Sequence, residues 1–251
     1  SISGIDGMTR LVKCPYGSQI MTDLDRMRNE YSARARRFAS KDLYSVFNAS
    51  YLFALQNRQR DLLRVLRKTG FQSLCGQRIL EIGCGGGGVL LEYLSIGAEP
   101  ERLFGIDLLP DRLGEAHKKL PLSGLSCADG QDLPFPAKTF DLILQYTAFS
   151  SILDDQIKRR MASDMLRVLK PDGLIVWYDF WLNPTNPQTR GIRPKEIRTL
   201  FDGCDIRFQK ITLAPPIARR IVPLSWGLGL FLESLLLFNS HYLALIRARK
   251  N

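Results

Sequence analysis

The chain has 251 residues, 45% of them apolar and 24% charged. These are ordinary globular values, and they exclude a disordered chain, a collagen-like chain and a polytopic membrane protein. Lys and Arg number 35 against 25 Asp and Glu, a net charge of +10, which favours an anionic partner (nucleic acid, phosphorylated substrate or acidic lipid) without choosing among them. The five cysteines, Cys14, Cys75, Cys84, Cys127 and Cys204, are widely spaced and form no C-x-x-C pair. No disulfide framework or zinc site is readable in them, and no secretory signal pattern is visible, so the expected location is a reducing cytoplasm.

Residues 1–76 hold 13 basic and 6 acidic residues, most of the net charge. Leu43, Phe47, Leu52, Leu55, Leu62, Leu63 and Leu66 recur near a 3.6 period among arginines, and Gly70 is a helix stop. A helical N-terminal cap over 1–75 is expected, ahead of a main domain over 76–251. Arg34, Arg36, Arg37 and Lys41 lie beside Tyr31, Phe38 and Tyr44, a mixture that permits RNA stacking and phosphate contact. No nucleic-acid module is recognisable, and a solvated helix face is the preferred reading.

From Arg78 onward, short apolar runs alternate with helical stretches. The runs are Arg78–Ile82, Leu103–Asp107, Leu125–Ala128, Phe140–Tyr146 and Leu174–Phe180; the helices lie near 88–96, 111–119 and 155–169. This alternation predicts βαβ units and a parallel sheet covered on both faces. Lys170-Pro171-Asp172-Gly173 is a turn before the fifth strand. Two more strands are expected at Ile206–Leu213 and His241–Ala248, flanking a hydrophobic insertion at about 214–239. Its apolar stretch Ile221–Phe238, broken by Pro223 and Glu233, is too short and interrupted to span a bilayer. Three readings stay open for it: a cap on an apolar pocket, an interfacial helix on a membrane, or a homodimer contact.

The segment Ile79-Leu80-Glu81-Ile82-Gly83-Cys84-Gly85-Gly86-Gly87-Gly88 carries the most information. A buried strand ends beside an acid, then comes a glycine-rich turn, then a helix. Gly83, Gly85 and Gly88 satisfy G-x-G-x-x-G, and Asp107 ends the next strand, where an acid can accept ribose hydroxyls. An adenosine cofactor follows, with NAD and S-adenosylmethionine both allowed. Glu81 beside the turn suits an ammonium or sulfonium ligand and would repel a pyrophosphate, which favours S-adenosylmethionine.

Further along stand Asp129-Gly130-Gln131-Asp132-Leu133-Pro134-Phe135, then Phe140-Asp141-Leu142, then Leu169-Lys170-Pro171-Asp172-Gly173. With the glycine loop, this ordered set resembles the class I S-adenosylmethionine-dependent methyltransferases, of the type 11, small-molecule branch, over about residues 76–182. The resemblance implies a three-layer Rossmann-like α/β fold with seven strands, the last one antiparallel. It implies that Glu81, Gly83, Cys84 and Gly85 hold the methionine part of the cofactor, and that Asp107 binds the ribose with Leu108 against the adenine. Asp129, Gly130 and Gln131 would meet the adenine edge, Gln145 and Tyr146 would sit near the sulfonium, and Tyr31 would close over the cofactor. The product would be S-adenosylhomocysteine.

Methyl transfer to oxygen usually needs a base. His241, at the start of the last strand, and Asp179, at the end of the fifth, are the base candidates, with Tyr178 as a positioner. His117, between Glu115 and Lys118-Lys119, reads as a solvated helix residue. Arg190 and Arg193, in the loop after the fifth strand, could pair with a carboxylate or phosphate. No metal is expected. The expected acceptor is a small molecule, apolar or anionic, methylated on oxygen; RNA methylation and a non-catalytic cofactor-binding scaffold are the alternatives. Peripheral contact with a membrane is consistent with this reading.

Overall fold

The computed structural model describes Arg26, Asn29, residues 45–182 and residues 188–249. Tyr31, Cys14 and the cluster at Arg34–Lys41 lie outside the described residues, as do Pro184, Asn186 and Pro187.

Seven strands form one sheet in the order β3-β2-β1-β4-β5-β7-β6. They are β1 Ile79–Ile82, β2 Leu103–Asp107, β3 Gly124–Cys127, β4 Phe140–Tyr146, β5 Leu169–Phe180, β6 Cys204–Leu213 and β7 Asn239–Ala248. The first five pair in parallel, and β7 lies antiparallel to both β5 and β6. Every residue of β1 is buried, as a central strand covered on both faces requires. The strand order reverses between β1 and β4, where Ile82 is level with Gln145. In a doubly wound sheet the ligand crevice opens at that switch point, beyond the carboxyl ends of the strands.

Helices α1 (Ala49–Lys68), α2 (Gly88–Ser95) and α3 (Pro110–Lys119) cover one face, where Leu62, Val65, Leu90, Tyr93 and Leu113 meet the sheet. Helices α4 (Asp155–Val168) and α5 (Pro194–Leu200) cover the other through Met161, Met165, Val168 and Ile197. The ends follow from sequence chemistry. The Asn48 side chain accepts hydrogen bonds from the Ser50 and Tyr51 amides to start α1, and Asp154 does the same for α4 with Gln156 and Ile157. Just past the end of α1, Gly70 adopts φ +98°, the left-handed stop that glycine permits.

Two expectations need correction. The fifth strand begins at Leu169, not after the Lys170–Gly173 turn: Leu169 pairs with Phe140, Leu174 with Leu142, and the extra residues are taken up by a register shift between them. The stretch Ile221–Phe238 is not one segment. It is split between α6 (Pro215–Ile221) and α7 (Trp226–Ser234), with the Ser225 hydroxyl capping α7 by accepting from the Leu228 amide.

This α6–α7 hairpin packs on α1. Phe53, Leu213, Ala218 and Val222 form its core, and the Trp226 ring meets Phe53 edge-on at 5.1 Å. Glu233 does not face solvent. It is buried, accepts from the Asn57 amide and the Thr212 backbone N–H, and ties the hairpin to both α1 and β6. Glu233→Ala therefore leaves two buried donors unpaired and is expected to cost about 2–4 kcal/mol in chemical denaturation. A loss within about 0.5 kcal/mol, the scale of surface substitutions, would contradict this anchoring role.

Candidate active site

Apart from Tyr31, which lies outside the described residues, the candidate cofactor residues and Tyr178, Asp179 and His241 lie along the carboxyl ends of β1–β5 and the start of β7. After β1 the chain turns at Gly83, φ +73°, whose amide and that of Cys84 both donate to the Ile106 carbonyl at 2.9 Å. A Cβ on Gly83 would meet the Ala148 Cβ at 2.8 Å, so this loop needs glycine for its conformation and for its close approach to the segment after β4. Cys84 packs its sulfur where a side chain on Gly105 would stand, and burial pushes its thiol up, so it is an unreactive spacer.

Asp107 closes the loop from β2. One carboxylate oxygen accepts from the Gly85 amide at 2.8 Å, the other from the Leu109 amide at 2.9 Å. Two of its roughly four lone-pair sites are used, leaving acceptor capacity on each oxygen. Leu108 beside it is half-buried. After β3, Asp129 accepts from the Gln131 backbone and side-chain amides, both at 2.9 Å. Gly130 packs so tightly that an added Cβ would lie 2.7 Å from the Met161 methyl.

Glu81 is buried, and its Oε2 has no hydrogen-bond partner among the described residues. Burial first, then the neighbouring carboxylates Glu92 and Asp107, hold its carboxyl well above the ordinary range. A desolvated acceptor of this kind is poised for a cationic donor.

The other end of the crevice is aromatic. Strand alternation sends Gln145 and Asp179 to one face, and Tyr146 and Tyr178 to the other. Asp179 accepts from the Gln145 side chain at 2.8 Å, the Ser150 amide at 3.2 Å and the Phe180 amide at 2.9 Å. Burial pushes its carboxyl up to about 6 against those bonds. On the opposite face Tyr146 shares a hydrogen bond with Tyr93, the two hydroxyls 3.2 Å apart, and the Tyr178 hydroxyl lies 3.0 Å from that of Thr212. His241 stacks on Tyr178 with ring centroids 4.7 Å apart and planes at 6°. Burial and the Arg58 cation push its imidazole down to about 3, so it is neutral across the physiological range.

Arg58 stands among several arginines of α1, and its residue type does not mark it out from them. Its guanidinium lies 5.1 Å from the Tyr178 ring centroid and 5.5 Å from that of Tyr146, and pairs with Glu92. Its Nε has no partner among the described residues. The available signal was its position: three residues from Leu55 and four from Leu62, on the apolar stripe of α1. By contrast, Arg190 is taken up by Asp155 and Glu196 and serves the α4–α5 junction, and His117 is exposed.

A doubly wound sheet with a glycine turn, an acid ending β2 and a buried acid beside the turn is an arrangement that an adenosine-bearing cofactor would fit. The family model described as a methyltransferase domain matches residues 79–173. A fatty-acid O-methyltransferase of Mycolicibacterium smegmatis is 34% identical over 112 residues, 41% of this chain and 37% of that protein. A phthiotriol/phenolphthiotriol dimycocerosates methyltransferase of Mycobacterium leprae is 33% identical over 138 residues, 54% of this chain and 49% of that protein. The matches thus span less than half the length of either relative. The crystal structure of magnesium protoporphyrin IX methyltransferase from Synechocystis PCC 6803 superposes with a TM-score of 0.58 at 13% identity, over 94% of this chain and 100% of that one, which shows the shared fold. Residues 79–173 are thus similar to methyltransferase domains, and the sheet with its helices has the fold of a solved methyltransferase.

Proposed function

We propose that this chain transfers a methyl group from S-adenosylmethionine to an oxygen of an apolar, lipid-like small molecule. The residues present fit the cofactor: Glu81, with its unpaired Oε2, suits the ammonium of the methionine part, and Asp107 keeps lone pairs for the ribose hydroxyls. Gly83, Cys84 and Gly85 would line the methionine part, Leu108 the adenine face, and Asp129, Gly130 and Gln131 the adenine edge. Gln145 and Tyr146 would border the sulfonium. The N-terminal part through residue 75 would cover the site, a reading supported by the reach of Arg58 from α1 into the crevice.

Bound there, the sulfonium supplies an electrophilic methyl carbon and a neutral thioether leaving group. The chain's own contribution is alignment and electrostatics. The observation that carries the oxygen assignment is Arg58: a half-buried guanidinium with a buried, unpaired Nε, lying over the neighbouring rings of Tyr146 and Tyr178. That N–H would donate to an anionic acceptor oxygen and hold its charge. Of the two base candidates, His241 is too weakly basic in its present surroundings to draw a proton without help, and the carboxylate of Asp179 is tied to Gln145, Ser150 and Phe180. An acceptor that arrives ionised, such as a carboxylate, needs neither. In this reading Tyr178 and His241 form the wall against which the acceptor lies, and Asp179 is a positioning residue for the end of β4. The names of the matched relatives, a fatty-acid O-methyltransferase among them, support an apolar acceptor.

The test supplies methyl-labelled S-adenosylmethionine and a panel of long-chain carboxylic acids, long-chain alcohols and RNA, followed by phase extraction. Label is expected in the organic phase with the acids. Arg58→Ala is expected to lower kcat/KM by about 100-fold, the scale of a lost charge-assisted hydrogen bond, with cofactor affinity nearly unchanged. Label only in nuclease-sensitive material, or an Arg58→Ala enzyme as active as the parent, would overturn the assignment.

A further inference from the structure

Helix α7 is apolar all round, which for a helix of a soluble domain implies burial on every side. Only one side is buried. Trp226, Gly229, Leu230 and Glu233 face inward, and a Cβ on Gly229 would stand 3.0 Å from Val222 and 3.1 Å from Phe53, so the helix is pressed close to α1. The outward side and its flanks carry Leu224, Leu228, Phe231, Leu235, Leu236 and Leu237, with exposures of 83% at Leu224 and 73% at Leu237. These six make up more than half of the exposed large apolar residues described, concentrated in one short hairpin. Patches of this kind mark an interaction surface.

The charges beside it indicate the occupant. Arg219 and Arg220 lie in the last turn of α6, shortly before Leu224 in the chain, both exposed, and neither takes part in an ion pair among the described residues. Glu233 is the sole acid in residues 214–238, and it points inward. A two-fold contact would bring this face against itself, arginines included, with no acid to meet them. Leucine and phenylalanine around a rim of arginines instead match an anionic bilayer surface: acyl chains below, phosphate headgroups at the edge. No helix among the described residues is long and apolar enough to cross a membrane, so the contact would be interfacial.

We propose that the α6–α7 hairpin docks this protein on anionic membranes, with the outer stripe of α7 in the headgroup–acyl boundary and Arg219 and Arg220 on lipid phosphates. The hairpin is also joined to the crevice: Glu233 accepts from the Thr212 amide, and the Thr212 hydroxyl lies 3.0 Å from that of Tyr178. A docked hairpin is thus linked to the crevice wall through Glu233 and Thr212.

The experiment sediments the full chain with phosphatidylcholine vesicles, with and without phosphatidylglycerol. Because no methyl transfer is read, its result is separate from the acceptor assignment. Binding is expected only with the anionic lipid. The double variant Arg219→Gln, Arg220→Gln is expected to weaken it by about 30-fold, from about 1 kcal/mol per arginine at the surface. Leu228→Glu with Phe231→Glu is expected to abolish it while the melting temperature stays unchanged, since both side chains are exposed. Three results would each overturn the proposal: no binding of the parent to anionic vesicles, variants that bind as the parent does, or a parent dimer that the Leu228→Glu, Phe231→Glu variant converts to monomer without any vesicle binding.

Discussion

Cofactor affinity is expected to rise as pH increases above the ordinary carboxylate range, and Glu81→Gln is expected to flatten that rise. In the cofactor-free protein, burial and the nearby Glu92 and Asp107 favour the neutral carboxyl of Glu81. An ammonium docked against its unpaired oxygen favours the carboxylate. Binding therefore expels a proton, and affinity gains up to about tenfold per pH unit until the free carboxyl ionises by itself. Glutamine cannot ionise, so the variant should bind about 100-fold more weakly near neutral pH, as expected when a buried charged partner is lost, with little pH dependence. The same shift predicts the opposite effect on stability. A carboxyl whose folded-state pKa lies above its unfolded value of 4.5 opposes folding increasingly as pH rises past that value. Glu81→Gln should therefore raise the melting temperature of the cofactor-free protein at neutral pH and leave it nearly unchanged in acid. A variant that gains stability while losing ligand is the signature of a residue strained for binding. Equal pH profiles for the two proteins would remove Glu81 from the site.

Asp107→Ala is the second large effect. This carboxylate does two things at once: it accepts from the Gly85 and Leu109 amides, which fixes the glycine loop to the end of β2, and it keeps capacity for a ligand's hydroxyls. Removing it leaves two backbone donors unpaired in a buried place and loosens the loop. We expect a loss of about 100-fold or more in cofactor affinity, equivalent to about 3 kcal/mol, together with a stability loss of about 1–3 kcal/mol. Asp107→Asn retains one acceptor but turns an amide NH2 toward a backbone N–H in either orientation, so it is expected to recover little of the binding.

Much of this site was legible because its parts are local. A four-residue buried strand, a glycine turn and a helix are adjacent in sequence, and their chemistry is set by residues within a few positions of one another. Asp107, Asp129 and Tyr146 were found the same way, each at the end of an apolar run whose length already gave the strand. Arg58 escaped because its meaning is tertiary: nothing near it in sequence says that its guanidinium reaches Tyr146 and Tyr178 on β4 and β5. The same holds for the paired roles on β5. Consecutive residues Tyr178 and Asp179 look equivalent in the chain, yet the pleat sends them to opposite faces, one to Arg58 and His241, the other to Gln145. The early start of β5 was hidden by Pro171 and Gly173, which signal a turn by composition but lie in a bulged strand. In Ile221–Phe238, Glu233 looked like an interruption. It proves to be the anchor of the hairpin, because its partners Asn57 and Thr212 come from distant elements.

In the proposed function an adenosine-bearing sulfonium cofactor sits on the loop between β1 and α2, with its ribose on Asp107. The most direct measurement is a calorimetric titration of S-adenosylhomocysteine into the full chain and into Asp107→Ala. One site per chain is expected for the parent, and no measurable binding for the variant at the same concentrations. No heat with the parent, or equal affinity in the two proteins, would contradict it.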